Sequence, residues 1–171
     1  ESAEKLVADF SDEPHYLQEL IRNLESLGIL LRTSGNMTES ESRSQQAVKM
    51  QEDLVKQHPD VQDFRRSLAT CYFNRGRFLA DVGRINDAEE NYRLCLSQFE
   101  RRVSEDSTVL LHRKGLAMCS RYLADMVTAR GDLKEDEKLF RSALEKQQEL
   151  VTEFPAIGEF GETLAGIHEQ L

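Results

Sequence analysis

The apolar residues of this chain are spaced as they are in amphipathic helices. Tyr16, Leu20, Leu24, Leu27 and Leu31 are separated by four, four, three and four residues, which places them on one helix face. A later segment follows the same steps of three and four, through Ala88, Tyr92, Cys95, Phe99 and Val103. No segment alternates apolar and polar residues as a half-buried strand would. The pattern therefore predicts an all-helical protein.

The pattern also repeats every 48 residues, with no insertion or deletion. Residues one period apart form matching columns, among them Val7, Val55, Val103 and Val151; Leu20, Leu68, Leu116 and Leu164; Gly35, Gly83 and Gly131; and Glu41, Glu89 and Glu137. Self-similarity at a fixed period of this size indicates stacked supersecondary units. Each period is thus expected to form one structural repeat.

The glycine column divides each period into two halves. Glycine tolerates the left-handed conformation that ends a helix, so Gly35, Gly83 and Gly131 predict tight turns between two helices. Each helix then has about 20 residues and a length of about 30 Å. A short connection makes consecutive helices antiparallel.

The starts of the second helices are predicted from a capping residue followed three positions later by glutamate. This spacing occurs at Thr38 with Glu41 and at Asn86 with Glu89. Such a pair satisfies N–H groups that have no partner at a helix start. We therefore expect Thr38 and Asn86 to cap these helices.

The periods define the domain organisation. They predict one array over residues 1–171, with full helix pairs at about 12–58, 59–106 and 107–154 and partial repeats at 1–11 and 155–171. This gives about seven helices. Because both ends fall inside a repeat, we expect the chain to be a fragment of a larger protein.

The columns place small residues of each helix opposite large residues of its neighbour. The small or aromatic positions are Gly28, Gly76, Ala47, Ala88, Tyr92, Phe140 and Ala143. With the turn glycines, this arrangement resembles tetratricopeptide (TPR) repeats. The resemblance implies a right-handed α-solenoid of antiparallel helix pairs, a TPR-like superhelix. TPR repeats have a period of about 34 residues, so each helix here is about two turns longer.

The long period is similar to that of TPR-like arrays beside bacterial serine/threonine kinase domains. That similarity implies a regulatory or docking region of a larger signalling protein, which could carry a separate catalytic domain such as a kinase. One departure is that the tryptophan-like position of the family holds Leu24, Tyr72 and Ser120. The closing proline of the family pattern is also absent.

Composition narrows the possible partners. The chain has 39% hydrophobic and 31% charged residues, which suits a thin solenoid with a large surface. Its net charge of −9 argues against nucleic acid and anionic membrane surfaces, which require a basic face. No apolar run approaches the roughly 20 residues of a transmembrane helix, so no membrane insertion is expected. We predict a cytoplasmic protein.

No residue set in the sequence predicts catalysis. The chain has no phosphate-binding glycine loop, no metalloprotease or hydrolase motif and no CxxC pair. Cys71, Cys95 and Cys119 are predicted to be small buried hydrophobic residues, which favours a reducing compartment, with a redox pair or a metal site as the alternative. We therefore expect no enzyme, no catalytic residue, no cofactor and no metal.

The resemblance also implies a binding face. In TPR arrays the first helix of each pair lines the concave face and contacts an extended peptide or a helix. The candidate partner-binding residues at those positions are Arg22, Arg32, Phe73, Asn74, Arg77, Arg121 and Tyr122. Aromatic and arginine side chains are frequent binding anchors. The alternative is that these arginines pair with acidic residues along their own helices.

Two functions follow as hypotheses. The first is a protein–protein interaction scaffold that binds a peptide or partner protein on its concave face. The second is a structural spacer or self-association module, with homo-oligomers formed through the repeat ends. The concave-face residues distinguish them, because their substitution affects partner binding only in the first case.

Overall fold

The computed structural model describes residues 13–131 and 133–168, and all regular secondary structure within these ranges is helical. The seven helices described are α1 (Pro14–Thr33), α2 (Met37–Gln57), α3 (Gln62–Asp81), α4 (Ile85–Glu105), α5 (Leu110–Arg130), α6 (Leu133–Glu153) and α7 (Gly158–His168). Helices α1 to α6 have 20 or 21 residues each. The predictions of an all-helical chain and of helices of about 20 residues are confirmed. The predicted partial repeat at 1–11 lies outside the described residues.

The chain forms two compact units, Glu1–Phe78 and Leu79–Leu171, with the boundary near the end of α3. In the first unit α1 packs on α2, and in the second α5 packs on both α4 and α6, with α7 on α6. Within each unit, helices that follow one another in sequence are therefore neighbours in space. The proposed sites below each lie within one unit.

The predicted glycine turns are present. Within residues 13–131 and 133–168, the residues with positive φ are the three turn glycines, Gly35 at 83°, Gly83 at 76° and Gly131 at 86°. At the first turn, the Gly35 N–H donates to the Arg32 carbonyl and the Asn36 N–H donates to the Leu31 carbonyl. These two bonds satisfy carbonyls that the helix leaves free at its end.

The predicted helix caps are wrong by about two residues. Helix α2 begins directly after Asn36, whose side-chain oxygen accepts from the Glu39 N–H at 3.3 Å. The Asn36 amide also donates to the Glu39 carboxylate at 3.2 Å. Asn86 lies inside α4, and the cap residue Arg84 makes no side-chain capping bond. The glycine turn is so short that the next helix begins before the predicted caps.

Small residues occupy the same buried positions in successive repeats. One column, Gly28, Gly76 and Ala124, lies in the first helices, and another, Ala47, Cys95 and Ala143, lies in the second helices; all are buried. Where α1 meets α2, the Ser40 hydroxyl donates to the Gly28 carbonyl at 2.8 Å. Small side chains let the backbones approach closely enough for this bond.

Buried glutamines connect the second helix of one repeat to the first helix of the next. The Gln51 amide of α2 donates to the Phe64 carbonyl of α3 at 2.9 Å. The Gln147 amide of α6 donates to the Phe160 carbonyl of α7, also at 2.9 Å. Gln51 and Gln147 are two periods apart, and so are their acceptors. We call these contacts the first and third junctions.

The middle junction, between α4 and α5, is built from different residues at the same positions. Phe99 stands in the glutamine column and faces Gly115 of α5. Arg102 stands where the other repeats have Leu54 and Leu150, and His112 where they have phenylalanine. The Arg102 guanidinium lies 2.7 Å from His112 Nε2, and both side chains are buried. A polar pair therefore replaces an apolar one.

The cysteine prediction is right about burial for all three residues and wrong about bonding for Cys95 and Cys119. Cys71 is buried and free. Cys95 of α4 and Cys119 of α5 are fully buried and joined by a disulfide, with a Cα–Cα distance of 6.4 Å. The reason is that the packing of α4 on α5 brings these two positions opposite each other at the middle junction. The redox-pair alternative thus applies to Cys95 and Cys119.

Candidate partner-binding surface

Helices α1, α2 and α3 of the first unit surround a small pocket. Its lining includes Glu25, Ile29 and Arg32 of α1, Ser44 of α2, and Asn74 and Phe78 of α3. Its volume is about 20 Å³, which is enough for one water molecule. A partner side chain would therefore contact the mouth of this pocket, where Ile29 is exposed.

The Glu25 carboxylate is the main charged group of the pocket. The Asn74 amide donates to it at 2.9 Å, and the Cys71 thiol also hydrogen-bonds to it. Burial raises the pKa of Glu25, and the two hydrogen bonds partly offset that effect. Burial also raises the pKa of Cys71, and the neighbouring Glu25 charge raises it further. Cys71 is therefore a protonated donor and a poor nucleophile.

Three of the predicted binding residues lie at or beside this pocket. Arg32 and Asn74 line it, from two different helices. Arg77 follows Asn74 by three residues on the same side of α3 and is exposed. The Arg77 side chain forms no ion pair within the part of the chain that the structure describes. The guanidinium is thus available to an external group.

Arg22 lies in a different place, toward the start of α1. It is exposed and pairs with Glu19 at 2.7 Å on its own helix. It also lines a wider groove of about 510 Å³, together with His15, Asp63 and Arg66. The alternative interpretation, pairing along the helix, thus describes Arg22.

Phe73 is buried, with only 9% of its surface exposed. It follows the fully buried Ala69 by four residues, so both lie on the packed face of α3. The TPR resemblance predicted that Phe73 lies on an accessible face. Its burial argues against a role as an exposed anchor, and we leave it out of the surface proposed below.

Arg121 and Tyr122 lie in the second unit. The Arg121 guanidinium is 4.2 Å from the centre of the Tyr122 ring and pairs with Asp125 at 3.2 Å. Tyr122 in turn stacks on the buried Tyr92, with ring centres 5.4 Å apart. The stack holds the arginine in position by a cation–π contact. Because Arg121 pairs with an acidic residue four positions along its own helix, it fits the alternative interpretation, in which these arginines form ion pairs within their helices.

Sequence reasoning missed the contributions of Cys71 and Phe78 to the pocket. Both were available in principle, because they lie three residues before and four residues after Asn74 on one side of α3. Cys71 was considered only as a core residue. Its hydrogen bond to Glu25 links the core to the candidate surface.

Across residues 13–131 and 133–168, no group of three or more His, Cys, Asp or Glu side chains is arranged to hold a metal ion. No helix in the described part of the chain is both long enough and apolar enough to cross a membrane.

The resemblance to TPR repeats is based on the repeated columns of the sequence described above. No protein-family model matches the chain. No curated protein shows significant similarity to it.

Proposed function

We propose that this chain is a protein–protein interaction scaffold that binds a segment of a partner protein at the mouth of the α1–α3 pocket. The observation that carries the proposal is that Arg32 and Asn74, chosen from the TPR resemblance, line the same pocket. Arg77 is exposed one turn beyond Asn74. Residues of two first helices thus converge on one surface, as the TPR resemblance implies.

We also propose the TPR-like solenoid itself, right-handed and built from antiparallel pairs. Contacts between α1 and α2 support the antiparallel arrangement, because their order is reversed. Gln18 near the start of α1 bonds to Gln51 late in α2, and Gly28 late in α1 bonds to Ser40 early in α2. In the second unit, Arg113 of α5 pairs with Glu153 late in α6.

The two arginines at this surface, Arg32 and Arg77, favour an acidic segment as partner. Their guanidinium groups are planar donors suited to carboxylates. The Glu25 carboxylate opposes such a segment, but it is partly buried and already accepts a hydrogen bond from Asn74. Because the pocket is small, the segment would lie across its mouth, with Ile29 supplying apolar contact. No catalytic step is assigned to the chain, which we propose to be a cytoplasmic docking region of a signalling protein.

The test is a binding comparison between two charge-reversal variants. Arg77→Glu changes the proposed surface, and Lys49→Glu makes the same charge change on an exposed position of α2. The probes are extended peptides of one length that differ only in their number of Asp and Glu residues. Fluorescence anisotropy at fixed salt measures their affinity, and circular dichroism checks that each variant is folded.

We expect acidic peptides to bind the wild type and the Lys49→Glu variant, and to bind the Arg77→Glu variant at least tenfold more weakly. Equal weakening by both variants would indicate a nonspecific charge effect. Unchanged binding by Arg77→Glu, or no preference for acidic peptides, would refute the proposed surface.

Self-association is a second candidate, favoured by apolar exposure on α1. Leu30 is 63% exposed and Leu27 is 39% exposed, and the two lie on neighbouring turns of one face. Sedimentation equilibrium over a range of concentrations tests it. If this face forms the contact, a Leu27→Glu, Leu30→Glu variant is monomeric where the wild type associates, while Arg77→Glu associates as the wild type does.

A further inference from the structure

The middle junction carries the least favourable buried pair of the three. Arg102 is 6% exposed and His112 is 7% exposed. Because the guanidinium can only donate, His112 Nε2 must accept, which leaves the proton on Nδ1. That Nδ1 atom is buried without a hydrogen-bond partner in the part of the chain that the structure describes. The other two junctions have leucine and phenylalanine at these positions, so no polar side-chain group is buried there without a hydrogen-bond partner.

The same junction carries the disulfide. Cys95 and Cys119 link α4 to α5, the two helices that Arg102 and His112 also bring together. The equivalent residues of the first junction are Ala47 and Cys71, both buried and unlinked. The first junction is therefore packed without a covalent link at these positions.

We propose that the Cys95–Cys119 disulfide is a redox-controlled lock on the α4–α5 contact. The oxidised form holds the junction closed over its buried polar pair. In the reduced form this junction opens more often than the first and third junctions, because it buries an imidazole nitrogen that has no hydrogen-bond partner among the described residues. The inference concerns the second unit and does not rest on the proposed binding surface.

The chemistry is thiol–disulfide exchange. A small dithiol supplies two electrons and two protons, the Cys95–Cys119 bond breaks to give two thiols, and the reagent becomes a cyclic disulfide. In the reverse direction a small-molecule disulfide such as oxidised glutathione accepts the two electrons and leaves as two thiols. Both cysteine sulfurs are fully buried, so a reagent reaches them only when the junction opens.

The reduction rate therefore measures how often the junction opens. The whole chain is oxidised with glutathione disulfide and mixed with excess dithiothreitol. Samples are quenched with iodoacetamide, and intact mass gives the reduced fraction over time. The Arg102→Leu, His112→Phe variant restores the residue pair of the other junctions. Arg101→Leu, an exposed neighbour, is the matched control.

We expect the restored pair to be reduced at least tenfold more slowly than the wild type, and Arg101→Leu to be reduced at the wild-type rate. Equal rates for wild type and the restored pair would overturn the proposal. So would three alkylatable thiols in the denatured protein after glutathione treatment, because no disulfide would then have formed.

Hydrogen exchange gives a second readout that does not depend on the restored pair folding well. Reduction is expected to raise exchange by at least tenfold in α4 and α5, and to change α1 and α2 by less than twofold. A Cys95→Ala, Cys119→Ala variant should match the reduced protein under both conditions. A uniform increase along the chain, or none, would mean that the disulfide does not control this junction.

Discussion

The ring of Phe99 in α4 lies against the α-carbon of Gly115 in α5, where an added β-carbon would stand 2.3 Å from ring atom Cε1. At the equivalent positions the first junction has Gln51 and Ser67, and the third has Gln147 with a threonine. A larger residue on one helix is thus matched by the loss of a side chain on the other. The two substitutions depend on each other.

Gly115→Ala should destabilise the protein by about 1–3 kcal/mol, because the new methyl group forces the ring out of its site. Urea unfolding followed by circular dichroism measures the change. Ser67→Ala, which removes a hydroxyl at the matching position, serves as control and should cost less than about 1 kcal/mol. Adding Phe99→Gln to the Gly115→Ala variant should recover most of the loss, and a double variant no better than the single one would contradict the dependence.

Gln51→Leu should cost more stability than Gln147→Leu. The first change removes the donor to the Phe64 carbonyl and also the partner of the buried Gln18 amide. The second removes only the donor to the Phe160 carbonyl. Each unsatisfied buried group costs about 1–3 kcal/mol. Equal losses in urea unfolding would show that the Gln18 contact contributes nothing.

Phe73→Ala should behave as a core substitution, with a loss of about 3–5 kcal/mol. Arg77→Ala, four residues later and exposed, should change stability by less than about 0.5 kcal/mol. Thermal unfolding of the two variants side by side measures the difference. A stable Phe73→Ala protein would return this residue to the list of exposed candidates.

Because of the Glu25 carboxyl group, the free energy of unfolding should fall as the pH rises. Its pKa is raised in the folded state by burial, so the folded protein binds this proton more tightly than the unfolded chain does. The resulting stabilisation is present below the ordinary value of 4.5 and is lost as the pH rises through the raised pKa. Glu25→Gln removes that contribution.

Urea unfolding from pH 4 to pH 8, a range set on the order of the ordinary carboxyl values, tests this sign. The stability of Glu25→Gln minus that of wild type should increase with pH. Glu90→Gln, an exposed position on α4, is the control. A difference that is flat or falls with pH would show that the carboxylate is not held in a desolvating site.

The helices and their glycine turns were predictable because they depend on local chemistry. Apolar spacing fixes the buried face, and only glycine readily adopts the φ of 83° found at Gly35. The cap was misplaced because two candidate residues, Asn36 and Thr38, both precede a glutamate at the right spacing. The short turn selects Asn36, whose N–H already closes the preceding helix.

The candidate binding residues were only partly predictable. The position of a residue along a helix follows from the repeat, but the neighbouring elements that cover its side chain do not. Arg32 and Asn74 were placed beside one pocket. Phe73, adjacent to Asn74, is buried because α3 packs against its neighbours on more than the single face that an amphipathic helix buries. The cysteine pair needed knowledge of which columns face each other across a junction, and spacing within one helix does not give it.

The bonds from Gln51 and Gln147 end on main-chain oxygens, which every residue provides. These two hydrogen bonds are therefore indifferent to the side chain at the acceptor position. A repeat exchanged at the first or third junction would keep its bond whatever residue replaced the phenylalanine. The side-chain contacts of the junction, such as Phe160 with Leu150, would still have to match.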